Sequence, residues 1–178
     1  MKDKTLVISY TGTGKTETAK RYSNVVDLDF TDYKYIYDKS ARHLPVGLLK
    51  GNDKVRTENP DYPQNFINAA LNQLGRGYIV MSAFIEFVYD AITSEEFSQR
   101  AKDVRIILVC PTRNDWEEYA TRFRARGNSE EFITKRETEF VQLVNLFETA
   151  NGMEKITIKP GQFLDSALIK YGINLQPK

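Results

Sequence analysis

The chain has 178 residues, of which 41% are hydrophobic and 28% charged, and its formal net charge is +1. This is the balance of one globular domain with a continuous core, and it excludes a low-complexity or disordered chain. A near-neutral charge speaks against a dedicated duplex-DNA binder, whose affinity comes from a basic excess against phosphates, and no apolar run approaches the ~20 residues that span a bilayer. Met1-Lys2-Asp3-Lys4 opens without a signal-peptide core, and the single thiol, Cys110, has no internal disulfide partner, so the cytosol is the expected compartment.

Thr5-Leu6-Val7-Ile8 is a short apolar, partly β-branched run that reads as a buried strand. A glycine-containing loop follows, then a short helix from Lys15 to Tyr22. Val25-Val26 opens a second strand that ends at Asp27-Leu28-Asp29. Gly77–Ser82 is a third, Val104–Cys110 a fourth that carries Cys110 into the core, and Lys155–Ile158 a fifth. Helical spacing of apolar residues marks Gln64–Leu74, Glu117–Arg126 with Gly127 as terminator, Glu130–Ala150, and Gln162–Tyr171. Strands alternating with helices predict a mainly parallel sheet covered on both faces.

One connection is too long. Phe30 to Arg76 is 47 residues (76 − 30 + 1), whereas a crossover with its helix needs only about 10–12. Gln64–Leu74 supplies that crossover, which leaves 31–63 as an insertion rich in tyrosine and proline. Insertions of this size on α/β scaffolds usually carry function, and this one is assigned to acceptor recognition.

The loop Ser9-Tyr10-Thr11-Gly12-Thr13-Gly14-Lys15-Thr16 fits the phosphate-binding pattern G-x-x-x-x-G-K-[ST], except that Ser9 stands at the first glycine. Gly12, Thr13 and Gly14 let backbone N–H groups curl around phosphate oxygens at the start of a helix. Lys15 reaches the outer phosphates, and the Thr16 hydroxyl is a magnesium ligand. The bland alternative, a flexible Gly/Thr turn, fits less well between a strand and a helix.

Asp27 and Asp29 stand at the carboxyl end of strand two, where open parallel sheets bind ligands. Two residues apart, both carboxylates can face the site, to take a proton from an attacking hydroxyl or to hold magnesium. Asp29 is the metal candidate with Thr16, and the choice of catalytic carboxylate stays open. The alternative is acidic punctuation of a strand end. Strand three ends Val80-Met81-Ser82-Ala83 without the acid many phosphate-loop proteins carry there, which argues against a motor-type ATPase and leaves Ser82 as a minor lining candidate.

Arg122 and Arg126 lie four apart on one helical face, with Arg124 elsewhere. Residues 113–130 are therefore read as an arginine-bearing lid that neutralises charge developing in transfer. A solvated helix pairing these arginines with Glu117, Glu118, Glu130 and Glu131 is the alternative. Arg113, just after strand four, is a candidate near the nucleotide base. In the insertion, Tyr33 and Tyr62 are candidates to stack on an acceptor and Arg56 to hold its phosphate, against plain packing or surface roles. His43 reads as structural or exposed, and no His/Cys cluster suggests zinc.

With these elements in place the chain resembles the nucleotide-kinase-like P-loop family, of the adenylate, gluconate and shikimate kinase type. More closely, it looks like small kinase-like ATP-binding proteins often encoded by phages of bacteria. The resemblance rests on Gly12-x-Gly14-Lys15-Thr16, Asp27-x-Asp29, Asn59-Pro60-Asp61-Tyr62-Pro63-Gln64-Asn65-Phe66-Ile67, and Arg122 to Gly127. It implies an α/β P-loop NTPase three-layer sandwich, with a five-stranded parallel sheet of order 2-3-1-4-5. It also implies ATP as donor, Mg²⁺, and a host-cell cytoplasmic setting if the protein is phage-encoded. By that analogy Asp27 or Asp29 contacts the acceptor hydroxyl or magnesium, and Arg122 and Arg126 contact phosphates. The expected activity is ATP-dependent phosphoryl transfer to a nucleoside, a nucleoside monophosphate or a related small molecule. The alternatives are a kinase of a nucleic-acid hydroxyl, and an ATP-binding regulatory protein with little turnover.

Overall fold

The structure, a computed structural model, describes residues 4–41, 43 and 53–178. The main sheet comprises β1 (Lys4–Ser9), β2 (Val25–Asp27), β5 (Ile79–Ala83), β6 (Val104–Pro111) and β7 (Glu154–Ile158), in the order β2-β5-β1-β6-β7. Every pairing is parallel, with Leu6 opposite Val80 on one side and Ile106 on the other. Counting only these five strands along the chain, the order is the expected 2-3-1-4-5.

The period of two along β1 divides the core. Leu6 and Ile8 point to one face and Val7 to the other. The first face is covered by α3 (Gln64–Gly75), α4 (Glu86–Thr93), α5 (Glu95–Arg100), α6 (Trp116–Ala125) and α7 (Glu130–Thr149). The second is covered by α1 (Lys15–Arg21) and α8 (Leu164–Lys170), which buries Leu164, Ala167 and Leu168. Each large apolar side chain so buried contributes about 1.5–3 kcal/mol. Cys110 is fully buried in β6, and burial pushes its thiol up to about 12, as befits a core residue.

Three differences from the sequence expectations have local causes. The third sheet strand starts at Ile79 and not Gly77, because Gly77 (φ +85°) closes a turn onto the Leu74 carbonyl. The last helix starts at Leu164 and not Gln162, because the Gln162 side chain and backbone both close a turn with Lys159. Helices α4 and α5, absent from the sequence expectations, fill 86–100, with Val88, Ala91 and Ile92 recurring at helical spacing on the buried face of α4. Ser94 caps α5 by accepting from Phe97 N–H at 3.2 Å, and Phe97 enters the core.

Within the insertion lie α2 (Thr31–Lys34) and an antiparallel pair, β3 (Tyr35–Tyr37) with β4 (Arg56–Glu58). Residue 42 and residues 44–52 of the insertion fall outside the described residues; His43 is exposed. Among the described residues no helix is long and apolar enough to cross a membrane.

Candidate active site

The loop after β1 springs from the carboxyl end of the sheet. Tyr10 N–H donates to Val109 O of β6 (3.0 Å), and Phe84 N–H donates to Ser9 O (2.8 Å). Gly12 (φ +89°) and Gly14 (φ +103°) turn the chain through the left-handed region that side chains avoid. Among the described residues no other residue type has positive φ, so Ser9 replaces the usual first glycine without backbone strain. Its hydroxyl has a task instead. Thr13 Oγ1 donates to Tyr10 O (2.8 Å) and lies 3.1 Å from Ser9 Oγ. The single Thr13 proton is used on Tyr10, so Ser9 is the donor to Thr13. Both side chains are fully buried. Thr13, expected among the nucleotide contacts, therefore staples the loop with its side chain and has only its main chain to offer a phosphate.

Lys15 lies across the loop, donating from Nζ to Ser9 O (3.1 Å) and Tyr10 O (3.3 Å). Burial pulls its ammonium down to about 8; Asp27 and Asp29 push it back up, and Arg126 lowers it further. Both carboxylates and Arg126 thus share one field with Lys15.

The two carboxylates have separate settings. Thr16 Oγ1 donates to Asp27 Oδ2 at 2.8 Å. Asp29 Oδ1 accepts from Thr31 N–H (3.0 Å) and Thr31 Oγ1 (2.7 Å), which ties it to the start of α2. The metal pair expected from the sequence is Thr16 with Asp29, but the geometry pairs Thr16 with Asp27. A hydroxyl and a carboxylate oxygen at hydrogen-bond distance are hard donors that fit Mg²⁺. Among the described residues no group of three or more His, Cys, Asp or Glu side chains could hold a metal on its own. A magnesium ion here would take its remaining ligands from phosphate oxygens and water.

The segment 113–130 is a short turn at Arg113–Asp115, then α6, then Gly127 as terminator. Tyr119, Ala120 and Phe123 bury α6 in the core. A Cβ at Gly12 would come within 3.3 Å of both the Tyr119 and Phe123 rings, so α6 lies directly against the phosphate loop. Arg122 Nη1 donates to Gly12 O (3.1 Å), and its Nη2 donates to Glu118 and to Gln162 O (3.3 Å). Arg126, one turn on, is exposed, makes no ion pair among the described residues, and its charge is felt at Lys15 and Glu17. Arg124 turns away to Glu130 (2.9 Å). Arg113 donates to Asn145 (2.5 Å) and Glu148 (3.2 Å), a surface tie between the turn and α7. Asp115, the acid that follows β6, is likewise structural: it caps the turn by accepting from Thr112 N–H at 2.7 Å.

The acceptor-side candidates are engaged in packing. Tyr33 sits edge-on to Phe66 with centroids 5.7 Å apart. Tyr62 donates its hydroxyl to Phe87 O (2.7 Å), and Arg56 stacks 3.8 Å over Tyr35. At their centre is buried Lys34, which nothing in the sequence singles out. Its ammonium lies 3.6 Å over Phe87, 5.2 Å from the Tyr62 ring and 3.1 Å from Glu58. This cluster pins α2 and the β3–β4 pair to α4. Ser82 is buried and donates to Leu28 O (2.8 Å), which ties the residue after β2 to β5.

The loop between β7 and α8 also belongs to the site, and sequence reasoning misses it. Leu164 N–H donates to Thr13 O (2.9 Å), Gly161 N–H donates to Glu118 Oε1 (2.9 Å), and Phe163, 52% exposed, would lie 3.4 Å from a Cβ at Gly14. An aromatic residue near the start of a predicted helix is visible in the sequence; its contact with the distant phosphate loop is not.

No family model matches the chain, and no curated protein does. Among solved structures, a gluconokinase from Sinorhizobium meliloti 1021 is similar over 93% of this chain and 87% of its own, at TM-score 0.50 and 12% identity. The tunicamycin resistance protein of Deinococcus radiodurans aligns over 98% of this chain and 99% of its own, at TM-score 0.45 and 13% identity. The likeness to phage-encoded proteins finds no support among these matches. What the gluconokinase shares with this chain is the fold, a P-loop-kinase-type α/β sandwich with a five-stranded parallel sheet.

Proposed function

We propose that this chain is a phosphotransferase that takes the γ-phosphoryl group of Mg²⁺-ATP to a nucleoside, a nucleoside monophosphate or a related small molecule. The observation that carries the reading is the convergence of Lys15, the Thr16–Asp27 pair and the two positive-φ glycines at the carboxyl end of the sheet. ATP supplies an activated phosphoryl group, and magnesium supplies positive charge across the outer phosphates. In this reading Gly12 and Gly14 free the loop's N–H groups for phosphate oxygens, and Lys15 offsets the charge that builds up during transfer. Thr16 and Asp27 would hold the metal. Asp29, beside the insertion, is the candidate to receive the acceptor's hydroxyl proton. Arg126, an exposed cation whose charge is felt at Lys15, is the candidate to meet the transferring group.

A second reading, an ATP-binding regulatory protein with little turnover, draws support from the lack of an acid at the end of β5, where Ser82 is committed to Leu28. A transfer assay decides between them, using γ-labelled ATP with Mg²⁺ against pooled nucleosides, nucleoside monophosphates, sugars and DNA with normal and hydroxymethylated bases. Label moving to a small-molecule pool, and failing to move with Lys15→Ala, is the expected result. Label that reaches only DNA would make the chain a nucleic-acid kinase. Label that stays in ATP despite demonstrated ATP binding would favour the regulatory reading.

A further inference from the structure

Arg122 and Glu118 form a half-buried pair at the lip of the phosphate loop, with side chains only 15% and 25% exposed. They lie four residues apart on α6, with the glutamate on the N-terminal side, the favourable orientation for such a pair. The guanidinium uses three of its five N–H groups, on Gly12 O, Glu118 and Gln162 O. Its Cζ lies 4.9 Å from the centre of the Tyr119 ring and 4.7 Å from the centre of the Phe163 ring. Glu118 Oε1 also accepts from Gly161 N–H at 2.9 Å. The site therefore holds an arginine that touches the phosphate loop and has a carboxylate as its charge partner.

We propose that Glu118 is a positioning residue that competes with the bound triphosphate for Arg122 and thereby sets the nucleotide affinity of the site. This rests on the nucleotide reading above. A triphosphate in the loop brings several negative charges up to the Gly12 carbonyl, where Arg122 Nη1 sits. Arginine prefers a bidentate phosphate partner, and a carboxylate alongside repels one. Arg122 can change partners without losing its place, because Tyr119, Phe163 and Gln162 continue to hold it. Glu118 can release it without becoming an orphaned buried charge, because Gly161 N–H stays bonded to it. The two arginines then divide the work: Arg126 is open from the start, whereas Arg122 is withheld until a ligand has enough charge to displace Glu118. Such a device discriminates by phosphate count, not by base.

The test is a titration of ATP, ADP and adenosine, at fixed Mg²⁺ and salt, into the wild-type chain, Glu118→Gln, Arg122→Met and the double variant. Glutamine keeps the shape and the acceptor for Gly161 N–H but removes the charge. Glu118→Gln is expected to tighten ATP about fivefold, ADP less, and adenosine not at all, and the gain is expected to vanish when combined with Arg122→Met. A gain that persists in the double variant would be a general field effect and would overturn the proposal. So would an unchanged ATP affinity, or an equal gain for adenosine. A wild-type chain that binds no ATP at all would instead remove the nucleotide reading beneath it. Should Glu118→Gln fail to fold, the Arg122 guanidinium N–H resonances of the wild-type chain report the same exchange of partners. They are expected to shift with ATP and stay put with adenosine, and a response to neither overturns the proposal.

Discussion

Replacing Asp27 by asparagine separates the two carboxylates at the end of β2. The Thr16 Oγ1–Asp27 Oδ2 bond is 2.8 Å long and charge-assisted, the kind that contributes about 1.5–3 kcal/mol against about 1 for a neutral one. Asparagine keeps an acceptor there, so the folded chain is expected to lose only about 1–2 kcal/mol. Function should suffer far more. Asp27 raises the proton affinity of Lys15 more than Asp29 does. Without it the Lys15 ammonium falls further below about 8, and less of it is charged at neutral pH. The metal pair loses its anion at the same time. Loss of one preorganised electrostatic partner typically lowers a transfer rate by about 10²–10³, and the half-saturating Mg²⁺ concentration should rise with it. Asp29→Asn is the control. Its Oδ1 accepts from the Thr31 N–H and hydroxyl at the start of α2, and an asparagine Oδ1 can accept the same two bonds, so the fold and the Mg²⁺ requirement should stay near wild type while the acid limb of the pH–rate profile moves. The assay is initial-rate label transfer across Mg²⁺ concentration and pH, with urea unfolding alongside. An Asp27→Asn rate within about tenfold of wild type, against the loss expected for such a partner, with an unchanged Mg²⁺ requirement, would refute the assignment of the metal to the Thr16–Asp27 pair.

Two further outcomes follow from the same loop. Lys15 holds its proton with a pKa of about 8 in the folded chain against 10.5 ordinarily, so between those values the unfolded chain binds more protons and stability rises with pH. Lys15→Met removes that rise: the variant should be the more stable near pH 7, by an amount on the order of 3 kcal/mol, and the gap should close towards about pH 10.5; parallel stability curves in urea would contradict it. Gly12→Ala puts a Cβ within 3.3 Å of Tyr119 and Phe123 at φ +89°, and left-handed strain plus overpacking should lower stability by about 2–4 kcal/mol. A loss too small to resolve would mean that α6 does not press on the loop as described.

How much of this is legible in the sequence depends on whether the signal is local. The strand–loop–helix unit from Lys4 to Arg21 is readable because its glycines, lysine and flanking apolar run are contiguous. The sheet order comes from the family resemblance, since no single strand encodes its neighbours. The β3–β4 pair is hidden because its second strand is only Arg56–Glu58, too short for a periodic signal. The alternation of Tyr33, Tyr35 and Tyr37 is suggestive, but it reads equally well as a binding surface. Asp27 and Asp29 are indistinguishable in sequence because both face one way; the difference lies in Thr16, eleven residues upstream of Asp27, and Thr31, two residues downstream of Asp29. Arg122 and Arg126 share a helical face, yet one ends on Glu118 and Gly12 and the other in solvent, a split that depends on where α6 meets the loop between β7 and α8.

The two departures from the phosphate-loop pattern have different physical standing. Ser9 is a substitution that the backbone accepts without strain, and it gains a buried hydroxyl pair with Thr13 that stiffens the loop from inside. The missing acid at the end of β5 leaves a gap under the proposed function, in which a metal beside Thr16 would need an anion. That gap has a neighbour able to fill it. In the sheet, β2 is the strand next to β5, with Asp27 in register with Met81, so a carboxylate at the end of β2 stands one strand away from the usual acidic position and still reaches Thr16. Moving the anion outward by one strand also carries it towards the insertion. On the proposed reading, the carboxylate that would balance the metal and the one that would face the acceptor sit two residues apart on one strand end. In such an arrangement, shifts in α2 alter Asp29 directly and Asp27 only through the intervening Leu28, which is buried and anchored to β5 through Met81 and Ser82. On the proposed reading, acceptor binding in the insertion would adjust the proton-accepting group while the Thr16–Asp27 pair stays fixed to the sheet.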